Sequence, residues 1–210
     1  MIHPFDDAYR RQVASRCAAF SRLTASDTTP GLRRAAVAIT LLETEDASGA
    51  TAFLLTRRAA GLHAHGGQWA LPGGGCDERE TIVEAALREL DEEIGLRLGA
   101  DQVLGMLDDY PTRSGYLITP VVLWAGNDPQ LRPNPEEVAS VHRIPLTEIA
   151  REDAVDLVAI PESNRRLIRI HIHGNFIYAP TAAMIYQFRE VLAGRDTRVA
   201  ELEQPVFAWR

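Results

Sequence analysis

The stretch Gly74-Gly75-Cys76-Asp77-Glu78-Arg79-Glu80-Thr81-Ile82-Val83-Glu84-Ala85-Ala86-Leu87-Arg88-Glu89-Leu90-Asp91-Glu92-Glu93-Ile94-Gly95-Leu96 carries the most specific pattern in the chain. Thr81 and Glu84 form a capping box, which starts a helix there. Ile82, Ala86, Leu87, Leu90 and Ile94 recur at helical spacing and supply its apolar face. Gly95 ends it as the residue that takes the left-handed conformation. On that helix Glu89, Glu92 and Glu93 stand at i, i+3 and i+4, on one face within a turn. Three like charges so placed repel, and a divalent cation offsets the repulsion, since Mg²⁺ and Mn²⁺ prefer carboxylate oxygens. Arg88 is spaced to reach back to Glu80 and hold the preceding loop.

Upstream, Leu71-Pro72-Gly73-Gly74-Gly75 lets backbone approach a metal and a phosphate where side chains would block it. The implied chemistry is metal-assisted hydrolysis of a phosphoryl group, in which the metal neutralises charge and activates water. Taken alone, three glutamates on a helix are more often a solvated acidic face. The whole pattern, with its glycines, arginine and aliphatics at fixed offsets, would match a random window less than about once in a billion trials.

Every defined position matches the Nudix box (G-x5-E-x7-R-E-U-x-E-E-x-G-U, U aliphatic), so the chain resembles a Nudix hydrolase. The resemblance implies an α/β (α+β) fold, a mixed β-sheet sandwiched between helices, and hydrolysis of a nucleoside diphosphate linked to another group. It implies that Glu89, Glu92 and Glu93, with the carbonyl of Gly73, hold Mg²⁺ or Mn²⁺, and that Glu80 and Arg88 form a structural ion pair. Further segments are similar to the coenzyme A diphosphatase branch: Leu54 to Ala59, Leu62-His63-Ala64-His65-Gly66-Gly67-Gln68, Asp108 to Thr112 with Ser114-Gly115-Tyr116, Pro135 to Val138, and Ile177-Tyr178 with Thr181-Ala182-Ala183. The chain departs from that branch's pattern at Ala59, His63, Leu71 and Tyr178-Ala179-Pro180. For that branch the reaction is cleavage of CoA or acyl-CoA to 3′,5′-ADP and 4′-phosphopantetheine. ADP-ribose or NADH hydrolysis, and a non-catalytic nucleotide sensor, are the alternatives.

Candidate substrate contacts are Arg57, Arg58, His63, His65 and Gly74. The general base is expected on a box glutamate such as Glu93 or on the later loop, where Glu137 precedes the matched Val138. Trp69, Tyr110 and Tyr116 are candidates to stack on adenine. His171 and His173 alternate along a strand, but no third ligand completes a zinc site.

The remainder of the chain sets bounds. Its 210 residues are expected to form one domain, with a core over about 33–193, an N-terminal helical extension at 1–32 and a tail at 194–210. All 22 basic residues are arginine, which excludes lysine Schiff-base chemistry and a Walker P-loop. A net charge of −7 argues against nucleic acid as the main partner. A small-molecule substrate is expected instead, with no membrane contact and a monomeric or homodimeric state. Cys17 and Cys76 form no CxxC pair, and no signal sequence is visible, so a cytoplasmic location is expected. Helices are expected at 5–22, 82–94, 146–151 and 181–192. Strands are expected at 35–43, 52–57, 102–108, 115–125, 137–144, 166–172 and 175–178, with a Gly174-Asn175 turn before the last.

Overall fold

A computed structural model describes residues 3–24, 31–46, 48–61, 66–126 and 129–208. Its centre is a mixed sheet. Strand β1 (Arg33–Glu43) runs parallel to β7 (Tyr116–Trp124) in register from Arg33↔Tyr116 to Leu41↔Trp124. All other pairings are antiparallel: β2 (Thr51–Arg58) with β1, with β3 (Trp69–Ala70) and with β8 (Val138–Pro145), and β5 (Val103–Met106) and β6 (Tyr110–Pro111) with β7. A central strand covered on both faces reads as a continuous apolar run, and β1 is buried from Ala35 to Leu42.

Alternation assigns its two faces. Val37, Ile39 and Leu41 join Phe53, Leu55, Val122 and Trp124 on one side. Ala36, Ala38 and Leu42 join Ala52, Leu54, Val121 and Leu123 on the other, where helix α2 (Ile82–Ile94) lays down Ala85, Ala86, Leu90 and Ile94. The alanines matter here: small side chains on both surfaces let the helix backbone come close to the sheet. The first face is covered by α1 (Asp7–Ala19), α3 (Leu146–Ala150), α4 (Thr181–Leu192) and a second, antiparallel sheet of β9 (Val155–Ile160), β10 (Ser163–Ile172) and β11 (Asn175–Tyr178). The expected sandwich is present, with this small sheet as an added layer. No helix is long and apolar enough to cross a membrane among the described residues.

The sequence-based turn before β11 is one residue out of place. Ile172 pairs with Asn175, so the turn residues are His173 and Gly174, both at positive φ (48° and 74°). Two left-handed residues are what a type I′ hairpin turn requires. His173 therefore leaves the strand face it was expected to share with His171.

Gly73–Gly75 is a strand too, β4, not a loop. It pairs with the first half of the β1 edge (Val37↔Gly73, Ala36↔Gly74, Ala35↔Gly75), whereas β2 pairs with the second half (Leu41↔Phe53 to Glu43↔Thr51). Beyond Phe53, β2 turns away from β1 and continues along β8 as far as Arg58. A gap between two strands of one sheet results, and it holds the site described below.

The tail packs onto the second sheet. Glu203 donates its N–H to Arg166 O (2.8 Å) and accepts from Ile168 N (3.4 Å), bracketing a parallel bridge to Leu167. Its carboxylate, 2% exposed, accepts from Arg113 Nη2 (2.7 Å), Ser163 Oγ (2.7 Å) and Gln204 N (3.1 Å). Burial pushes this acid's pKa up, but the three donors outweigh it and hold it at about 2, against an ordinary 4.5 unfolded. A depressed carboxylate pKa stabilises the fold above the unfolded value, and that stability is lost as pH falls from about 4.5 toward 2. Replacement by Gln should cost about 2 kcal/mol at pH 7, discounted because the Arg113 side chain is half exposed, and nothing near pH 2. Melting curves at pH 7 and pH 3 check this; an equal deficit at both pH values would refute it.

Candidate active site

Helix α2 begins as its sequence dictates. Thr81 Oγ1 accepts from Glu84 N (3.2 Å) while Glu84 Oε2 accepts from Thr81 N (2.8 Å). It ends at Gly95 (φ 67°), where a side chain would also press on Arg132 Cβ at 2.8 Å. Leu90 and Ile94 are fully buried and fix the helix rotation, which turns Glu89 and Glu93 toward β4.

Arg88 ties the helix to the preceding segment. It donates to Glu80 through Nε (2.8 Å) and Nη2 (3.1 Å), to Gly75 O (2.9 Å), to Glu89 Oε1 (2.9 Å) and to Glu92 Oε2 (2.8 Å). The paired bonds to Glu80 use the planar guanidinium fork. The Arg88 hydrogen bond holds the Glu80 pKa below its ordinary value, with Asp77 N–H adding to the effect. The expected Glu80–Arg88 pair is thus present, and the same arginine also spans two of the box glutamates.

Glu93 is the buried acid of the site, 3% exposed. Its Oε2 accepts from Gly73 N (3.2 Å) and its Oε1 lies 3.5 Å from Arg58 Nη1. Burial raises its pKa to about 7; Arg58 and the Gly73 N–H oppose that shift, and the charges of Glu89 and Glu137 reinforce it. Glu89 is raised as well, first by burial. Its carboxylate lies where a Gly74 side chain would stand, so only glycine leaves it room. Gly73 faces Val37 at a position where the ladder bonds run through Pro72 and Gly74 instead, which leaves its own N–H for Glu93.

Two carboxylates of raised pKa beside open backbone form an oxygen donor set of the kind a hard divalent cation takes. Gly73, Gly74, Glu89, Glu93 and Arg58 converge, and Glu137 is near enough to act on both acids. Glu92 does not converge with them: its side chain is 55% exposed and bound to Arg88. Among the described residues no three Asp, Glu, His or Cys side chains gather tightly enough to hold an ion unaided. His63 and His65 lie outside the described residues.

A cavity of about 760 Å³ adjoins this cluster along Gly73–Gly75. Arg33, Arg57 and Arg58 line it, and none of the described lining residues is a carboxylate, in a chain whose net charge is −7. Arg57 Nε donates to Gly67 O (3.1 Å), and Arg58 Nε is buried with no partner among the described residues. Trp69 and Tyr116 line the cavity as expected of stacking candidates. Tyr110 does not: it is 1% exposed and donates to Leu202 O (2.7 Å), a core residue. His171 is held by Asp156 (3.0 Å) and stacks edge-on with Phe176, so the weak zinc reading has no support.

Several cavity residues carry no pattern in the sequence. Arg33 is simply the first residue of β1, its guanidinium 4.2 Å from the Tyr116 ring centre. Phe176 and Phe207 come from the last hairpin and the tail.

The NUDIX domain family model matches residues 31–162, and the chain belongs to the Nudix hydrolase family, whose members generally use divalent metal ions. Within the family it is 36% identical over 146 residues to an uncharacterized Nudix hydrolase, NudL, of Pectobacterium atrosepticum, covering 68% of this chain and 76% of that protein. It is 34% identical over 136 residues to the NudL of Escherichia coli O6:H1, covering 63% and 70%. The solved structure of the Nudix hydrolase RenU from M. smegmatis aligns with a TM-score of 0.52 at 26% identity, over 79% of this chain and 88% of that one.

Proposed function

We propose that the protein hydrolyses the pyrophosphate bond of coenzyme A or an acyl-CoA, giving 3′,5′-ADP and 4′-phosphopantetheine. The observation that carries this is the cavity itself, lined among the described residues by three arginines and no carboxylate, abutting the Glu89–Glu93 cluster at the glycine strand. Such a surface suits a substrate bearing several phosphates, because guanidinium groups stay charged and pair with two phosphate oxygens at once. The segments similar to the CoA diphosphatase branch also meet here: Arg57, Arg58, Gln68, Thr112, Tyr116 and Tyr178 all line the same cavity.

Glu89, Glu93 and the Gly73 backbone are the residues that would hold Mg²⁺ or Mn²⁺, with Glu92 joining after release from Arg88. Such an ion neutralises the pyrophosphate and lowers the pKa of a bound water. Arg57 and Arg58 orient the phosphates. Glu137, half-buried and hydrogen-bonded by Asn134 Nδ2 (3.3 Å), takes the proton of the attacking water on a carboxylate oxygen.

Incubating the purified protein with CoA and Mg²⁺, then resolving products by chromatography and mass, tests this. 3′,5′-ADP with 4′-phosphopantetheine is the expected pair. Cleavage of ADP-ribose or NADH with CoA untouched would overturn the CoA assignment but leave pyrophosphate hydrolysis standing; silence on all three would overturn both.

A further inference from the structure

The tail does more than cover the β10 edge. Directly after its anchor at Glu203 it enters the substrate cavity, first with Gln204 and, four residues beyond the anchor, with Phe207. The anchor is firm: the Glu203 carboxylate is held by Arg113 and Ser163, its backbone by Arg166 and Ile168, and Leu202 O by the Tyr110 hydroxyl. Phe207 nevertheless leaves 57% of its surface exposed, the largest fraction among the exposed large apolar residues described. Its ring meets Tyr178 edge-on, with centroids 5.5 Å apart and planes at 90°. An edge-to-face pair fixes both rings and leaves a flat face of one of them open. Phe176, the third aromatic here, is already engaged by Arg169 (4.0 Å) and His171.

We propose that the C-terminal segment is part of the substrate site, and that Phe207, set by Tyr178, is the surface on which the adenine base of the nucleotide stacks. This rests on the nucleotide reading above, and it names the part of the ligand that the tail recognises. The cavity then carries both surfaces a nucleotide needs, guanidinium groups for phosphate and a fixed aromatic face for the base. A flexible pantetheine arm gains little from such a flat, rigid face, whereas a purine matches it. Base–aromatic stacking is commonly lost on alanine substitution with a drop of about 10-fold or more in affinity.

Calorimetric titration of the full chain with 3′,5′-ADP, and separately with inorganic pyrophosphate, tests the proposal without any turnover. Phe207→Ala should weaken 3′,5′-ADP binding by about 10-fold or more and leave pyrophosphate binding unchanged, and Phe207→Tyr should restore wild-type affinity. Equal weakening of both ligands, no change for 3′,5′-ADP, or no 3′,5′-ADP binding by the wild type would each overturn it. Adenine nucleotide binding is common to CoA, ADP-ribose and NADH. Failure of the CoA assignment therefore shows in the product assay and leaves this titration readable.

Discussion

Replacing Glu93 by Gln should lower kcat on the order of 10³-fold, about 4 kcal/mol of barrier, while leaving a folded protein. Three features converge on this residue. It is the most buried of the box glutamates, it bonds the glycine strand through Gly73 N, and it faces Arg58 across the gap in the sheet. The substitution keeps an oxygen to accept from Gly73 and nearly the same volume, so the packing around Leu90 and Ile94 has no reason to change. What disappears is the negative charge that a cation requires. Single-turnover rates with Mg²⁺ beside thermal melts separate the two effects. Turnover within about 10-fold of wild type would sink the assignment, as would a rate loss matched by an equal loss of structure.

Gly73→Ala and Gly75→Ala are expected to diverge sharply although the residues lie two apart on one strand. A Cβ at Gly73 would run into Ala36 O and within 2.6 Å of Val37 Cα, both backbone atoms of β1, which cannot step aside. The strand would have to lift from β1, taking with it the N–H that holds Glu93. A cost of about 3 kcal/mol or more is expected, the range of overpacking against a fixed backbone. At Gly75 a Cβ meets nothing within 4 Å and φ is ordinary, so that variant should melt within about 0.5 kcal/mol of wild type. Denaturant unfolding of the two proteins gives the comparison directly. Similar losses for both would mean that glycine is needed here for chain flexibility and not for the close approach.

Much of this was legible because it is local. The capping box, the apolar stripe of α2, its glycine stop and the Glu80–Arg88 pair all lie within one helix and the segment leading into it. The alternation in β10 and the continuous run of β1 likewise announce a half-covered and a fully covered strand. What escaped depends on distant partners. Three glycines in a row have no side-chain pattern, and β4 is a strand only because the β1 edge beside it is free. Arg58 meets Glu93 across 35 positions of sequence, and Phe207 meets Tyr178 through a tail whose path is set by β10. Tyr110 shows the opposite error. An aromatic ring suggested stacking on adenine, but burial in the core and a buried hydroxyl bond had already claimed it.

The alanine contact between α2 and the sheet has a meaning beyond tight packing. Ala36, Ala38 and Ala52 below, with Ala85 and Ala86 above, set the height at which the helix rides. Glu89 and Glu93 stand on that helix, whereas Arg58 and the glycine strand belong to the sheet. The thinness of this layer is therefore a gauge that fixes how far the anions sit from the cations and backbone they serve. One added methylene there would act as a shim under these two acids and detune the cluster without altering a single one of its residues.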